Sequence, residues 1–115
     1  MPIQIRVQDN GKAPPEELYE KFTIDRPGKI VFVGHRLSIS NSVRCVIRRI
    51  SQYGAQLEVS QKVELPSHFF LEILGIRDEI GCTMSKREGE IVTVGFNMLI
   101  DPEFLHHVRR LSFES

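Results

Sequence analysis

The chain has 115 residues, 41% of them hydrophobic and 26% charged, the profile of one globular domain with enough apolar content for a single core. Fifteen Lys and Arg balance fifteen Asp and Glu, so a general electrostatic footprint for nucleic acid or anionic lipid is missing, although a local patch stays open. No apolar run is long enough to span a membrane, and the N-terminus MPIQIRVQDNGK lacks the charged-then-apolar order of a secretory signal. Cytoplasmic location without membrane insertion is the expectation.

Ile3, Ile5 and Val7 alternate with Gln4, Arg6 and Gln8, which predicts a short edge strand. Residues 9–15, with Asp9-Asn10-Gly11 and Pro14-Pro15, read as a turn or linker. Residues 16–22 suit one or two helical turns, and Arg26-Pro27-Gly28 reads as a second break. The apolar run Ile30–Val33 predicts a strand covered on both sides. Val43, Cys45 and Ile47 share one strand face, but the next large apolar residue, Ile50, comes three positions later. That failure of alternation predicts a bulge or a turn entry near Arg48 and Arg49.

Beyond a turn marked by Ser51 and Gly54, alternation resumes at Ala55, Leu57 and Val59. Phe69–Ile73, Ile80–Met84 and Val92–Phe96 predict three further strands, the last two joined by a hairpin with Gly89 at a positive-φ position. Asp101-Pro102-Glu103 predicts a helix start, as an N-cap, a Pro at the first helical position and an acid in the first turn. Phe104, Leu105, Val108 and Leu111 mark its apolar face. Arg109 and Arg110 fall off that face, and their place toward the helix C-terminus suits the dipole. The pattern is mainly all-β, an antiparallel barrel or sandwich with a C-terminal α-helix. Cys45 and Cys82 read as reduced, core-filling thiols.

Four features in order then stand out: the arm Asp25–Ile30, the strand Cys45–Ser51, the turn into Gly54–Val59, and the late pair Cys82–Arg87 and Ile91–Phe96. With them the chain from about Pro27 to Phe96 resembles a PilZ domain. The resemblance implies a six-stranded antiparallel PilZ-type β-barrel over residues 27–115, closed by the terminal helix and preceded by an arm over residues 1–26. Many PilZ domains bind the bacterial second messenger cyclic di-GMP through an RxxxR arm and a later [D/N]xSxxG turn. Ser51 and Gly54 stand at the Ser and Gly of that turn, but its acidic or amide position is Arg49. Such a residue accepts a hydrogen bond from a guanine edge, and Arg does not. The arm holds Arg26, and the position four residues before it is Phe22.

The candidate ligand-binding residues are therefore Arg26, Arg48, Arg49, Ser51 and Gly54. The arginines suit phosphate or a guanine face. Ser51 and Gly54 suit either a tight turn or a ligand-cradling loop. Tyr53 is expected to be exposed at the turn. No catalytic constellation, resident cofactor or metal site is expected: Ser51 lies in no GxSxG elbow, no phosphate loop is present, and the adjacent His106 and His107 diverge on a helix.

Two functions follow from the resemblance. One is a non-enzymatic cyclic di-GMP receptor or adaptor in bacterial signalling, acting on an effector protein. The alternative is a PilZ-like protein–protein adaptor without the ligand, for which Ile3–Val7 offers an edge to a partner or to a second copy in a homodimer. DNA or RNA binding is disfavoured by zero net charge, no Trp and two Tyr.

Overall fold

The computed structural model describes residues 18–33 and 40–114. The expected strand Ile3–Val7, the linker 9–15 and His35 lie outside them. Alternating apolar residues place strands at β1 (Phe22–Val33), β2 (Ser40–Ile50), β3 (Gly54–Glu58), β4 (His68–Ile73), β5 (Glu79–Glu88) and β6 (Ile91–Phe96). All pair antiparallel in the order β1-β2-β3-β6-β5-β4, and β4 closes on β1. The helix α1 (Pro102–Glu114) follows. The fold is thus a six-stranded antiparallel barrel with one C-terminal helix.

The inward positions are those that alternation selects. Ile30, Ile47, Leu57, Leu71, Cys82, Val92 and Val108 are completely buried, and burial of this kind is the main favourable term in folding. Cys45 and Cys82 are free, buried thiols, and burial pushes both up to about 12, so neither is a nucleophile at neutral pH.

Strand β1 differs most from expectation. It begins at Phe22, where a helical turn was predicted, and it runs through Arg26-Pro27-Gly28 without interruption. The boundary drawn between residues 26 and 27 therefore falls inside a strand. β4 pairs with β1 only from Gly28 onward; just beyond it Leu74 N donates to Pro27 O at 3.1 Å, and Leu74 O accepts from Arg26 Nε at 2.7 Å, so that carbonyl needs no N–H from Pro27. A residue without an N–H is tolerated there. The run Ile30–Val33 is also not covered on both sides, for Ile30 is buried and Val33 is 52% exposed. A single-layer barrel buries one face per strand.

The bulge expected near Arg48 is present on both sides of β2. On one side, Ile47 pairs with Leu57 and Arg49 with Gln56, leaving Arg48 unopposed. On the other, the register of β1 shifts between Thr23 and Arg26, and Asp25 adopts φ 46°. Asp tolerates this left-handed region better than most residues.

Because β3 and β4 are not neighbours, the segment between them must cross to the other side of the barrel. Arg87 fastens it, donating from Nη1 to Val63 O (2.6 Å) and from Nη2 to Ser60 O (3.0 Å). At α1, Asp101 Oδ1 accepts from Glu103 N at 2.7 Å, as expected of an N-cap. The helix continues to Glu114, so its last turn contains no basic residue and Arg109 and Arg110 do not serve its C-terminal dipole. Arg109 instead lies over the Phe22 ring at 3.6 Å, tying the helix to the start of β1.

Glu72 and Glu79 are directly opposed on β4 and β5. The side-chain hydrogen bond to Glu72, with some desolvation and the Glu72 charge, raises the Glu79 carboxyl above its ordinary range. A raised folded-state pKa means that the native state holds its proton more tightly than the unfolded chain. The stabilising contribution is present in acid and is lost as pH rises through the folded value. Glu79→Gln should therefore raise Tm at neutral pH, and the gain should shrink in thermal melts carried into acid, where the native carboxyl takes up its proton.

Candidate functional site

The turn between β2 and β3 is built by Ser51. Its side chain is buried (3% exposed), and its Oγ accepts from Tyr53 N at 3.0 Å and Gly54 N at 3.2 Å. Ser51 N donates to Gly54 O at 2.9 Å, closing the turn. This local bonding is what Ser offers at turns. Gly54 is required by close approach: it pairs with Gly95, and a Cβ there would collide with the Val94 carbonyl oxygen.

Beside this turn the outer wall of the barrel forms a trough of about 340 Å³. Sheet order creates it. Arg49 of β2 lies opposite Gln56 of β3, which lies opposite Thr93 of β6. One row along, Gly54, Gly95 and Thr83 are likewise in register across β3, β6 and β5. Lys21 and Tyr53 also line the trough, with Ser85 and Asn97. Two cations and a row of uncharged donors and acceptors line it, and no carboxylate does. Its chemistry suits a small anionic ligand, and its volume is at the low end of ligand sites.

Thr83 Oγ1 donates to Asn97 Oδ1 at 2.8 Å and lies 3.1 Å from His68 Nδ1. Ser85 Oγ donates to Thr93 O at 3.2 Å. Among the described residues, no hydrogen bond or ion pair engages the side chains of Arg49, Lys21 or Gln56.

The five sequence candidates divide into two groups. Arg49, Ser51 and Gly54 meet at the trough. Arg48 points away from it, with Nε 3.0 Å from Asp25 Oδ1 and Nη1 3.5 Å from Glu58 Oε1. Arg26 is turned toward the helix, donating from Nε to Leu74 O (2.7 Å) and from Nη1 to Leu111 O (3.0 Å). The structure does not bring Arg26 or Arg48 to the turn. Tyr53, expected in solvent, is half-buried: its ring lies against Gly95 and is stacked with Tyr19.

Sequence reasoning missed Gln56, Thr83, Ser85, Thr93 and Asn97 as a group. All but Asn97 occupy outward positions of alternating strands, a pattern that signals solvent and nothing more. Only the pairing of β3 with β6 and of β6 with β5 gathers them.

A second concavity of about 630 Å³ lies near Lys29, Arg44, Glu58, Glu72 and Glu90. Its mixed charge favours no one class of small ligand. Among the described residues no group of His, Cys, Asp and Glu is arranged to hold a metal ion, and no helix is long and apolar enough to cross a membrane.

No protein-family model matches the chain, and no curated protein is significantly similar to it.

The tight fit at Gly54 has a measurable consequence. Gly54→Ala should lower stability by about 1–3 kcal/mol through overpacking against β6, read as a lower urea midpoint at unchanged slope.

Proposed function

We propose that this chain is a non-enzymatic regulatory domain of the PilZ kind, with the trough beside the Ser51–Gly54 turn as its candidate cyclic di-GMP site. The observation that carries the reading is the juxtaposition of Arg49 and Lys21 with that turn, on a wall that bears polar groups and no carboxylate. Cations unopposed by acids attract phosphate, and Arg adds a planar fork that matches phosphate oxygens. The protein would act in the cytoplasm, and its output would be a surface presented to an effector protein.

A second reading is an adaptor of the same fold that binds no cyclic di-GMP. It is favoured by the internal engagement of Arg26 and Arg48, which leaves Arg49 as the only candidate arginine at the trough.

Calorimetric titration of cyclic di-GMP, paired with thermal melts, decides between them. A ligand at a hundred times its Kd adds about 2.7 kcal/mol to the native state, raising Tm by on the order of 10 °C in a domain of this size. Arg49→Ala should then weaken binding about tenfold through loss of a charge-assisted contact. Arg26→Ala should lower stability by about 2 kcal/mol and leave affinity unchanged. Absence of heat and of a Tm shift at high micromolar ligand would overturn the cyclic di-GMP receptor and favour the second reading.

A further inference from the structure

Tyr53 is held firmly where the trough begins. Its carbonyl accepts from Phe96 N at 2.7 Å, and Cε2 of its ring lies 3.6 Å from the place a Cβ would take on Gly95. Tyr19 lies against it with ring centroids 6.2 Å apart and planes 14° from parallel. Rings in contact are separated by about 3.5 Å, so a 6.2 Å centroid distance corresponds to a lateral slip of about 5 Å. Tyr19 therefore touches Tyr53 near its edge and leaves much of the ring face uncovered.

The trough that Tyr53 helps to line is chemically specific. Arg49 and Lys21 supply positive charge, Gln56 supplies an amide, and Thr93 supplies a hydroxyl. A trough lined by an aromatic ring, cations and neutral hydrogen-bonding groups offers something to each part of a nucleotide: the ring suits the base, the cations the phosphate, and the amide and hydroxyl the base edge.

We infer that Tyr53 is the stacking platform for the base of a purine nucleotide bound in the trough, and that Tyr19 is the side chain this base displaces. The inference rests on reading the trough as a ligand site. A bicyclic purine centred on the ring covers more of it than a slipped phenol does, so exchange favours the ligand. Tyr19 stands two residues before Lys21 and three before the start of β1, so its release changes the surface offered by residues 18–21. Occupancy of the trough is thereby coupled to the segment that leads into the barrel.

The chain contains two tyrosines and no tryptophan, so every tyrosine ring signal comes from these two residues. Cyclic di-GMP, GMP and inorganic phosphate are titrated separately, with ring-proton NMR and calorimetry on wild type and on Tyr53→Leu, Tyr53→Phe and Tyr19→Ala. GMP should move the Tyr53 ring protons upfield and perturb Tyr19, whereas phosphate should move neither. Tyr53→Leu should weaken nucleotide binding about tenfold or more. Tyr53→Phe, which keeps the ring, should retain affinity, and Tyr19→Ala should bind at least as tightly as wild type. Nucleotide binding with unmoved rings and an unaffected Tyr53→Leu variant would overturn the platform and leave the trough reading intact. GMP binding through Tyr53 without any binding of cyclic di-GMP would support the platform and remove cyclic di-GMP as the ligand. No binding by either nucleotide would overturn both.

Discussion

The paired register breaks around Arg48 are the constraint on which the site depends. In an uninterrupted strand, Ile47 and Ile50 would face opposite sides of the wall. Here both are buried, at 0% and 1% exposure, because β2 carries one more residue than β3 between them and β1 shifts register in the same place. Arg48 and Arg49 are consequently both outside. The Arg48 guanidinium is drawn to Asp25 on β1 and Glu58 on β3, while Arg49 is left to line the trough. Without the break, Ile50 could not enter the core at the end of β2, and Ser51 would not be placed to close the turn against Gly54.

The arginines on this barrel divide between cohesion and availability. Arg26 and Arg87 donate to backbone carbonyls: Arg26 to those of Leu74, just past β4, and Leu111, in the last turn of the helix, and Arg87 to those of Ser60 and Val63 in the crossing segment. A guanidinium can serve several such acceptors at once because its donors are fixed in a plane. These groups hold distant segments together: Arg26 links β1 to the helix end, and Arg87 links the β5–β6 hairpin to the crossing segment. An arginine committed in this way is removed from ligand binding unless those carbonyls find other partners. Positive potential at the trough therefore comes from Arg49 and Lys21, and no acidic residue lines the trough to cancel it.

Much of this architecture was legible in the sequence because alternation is a local property. The inward sets Ala55-Leu57-Val59, Phe69-Leu71-Ile73 and Val92-Val94-Phe96 are all buried, the Asp101 cap forms, and Gly89 takes φ 61°. The start of β1 was not legible. Arg26-Pro27-Gly28 has the composition of a break, and Pro27 is compatible with a strand because its neighbour Leu74 donates to the Pro27 carbonyl and has its own carbonyl taken by Arg26. That information lies in topology. The same holds for Arg26, whose acceptors Leu74 and Leu111 are 48 and 85 residues away in the chain. Gln56, Thr83 and Thr93 each looked like an ordinary outward residue, and their convergence required the order β3-β6-β5.

The Gly54–Gly95 pair shows why turn and trough are one object. A side chain on Gly54 would push β3 away from the Val94 carbonyl, opening the pairing that sets Gln56 beside Thr93. The second glycine presents no side chain on the outer wall, and the Tyr53 ring lies 3.6 Å from the place its Cβ would take. The features that allow β2 to turn into β3 therefore also shape the recess: Gly54 lets the strands approach, and the Tyr53 ring lies beside Gly95 at its edge. Choosing between Ser51 and Gly54 as turn-formers or as site residues is then a false division. They shape the trough by forming the turn, while its cations and its polar row come from Arg49, Lys21 and the side chains that the turn holds in place.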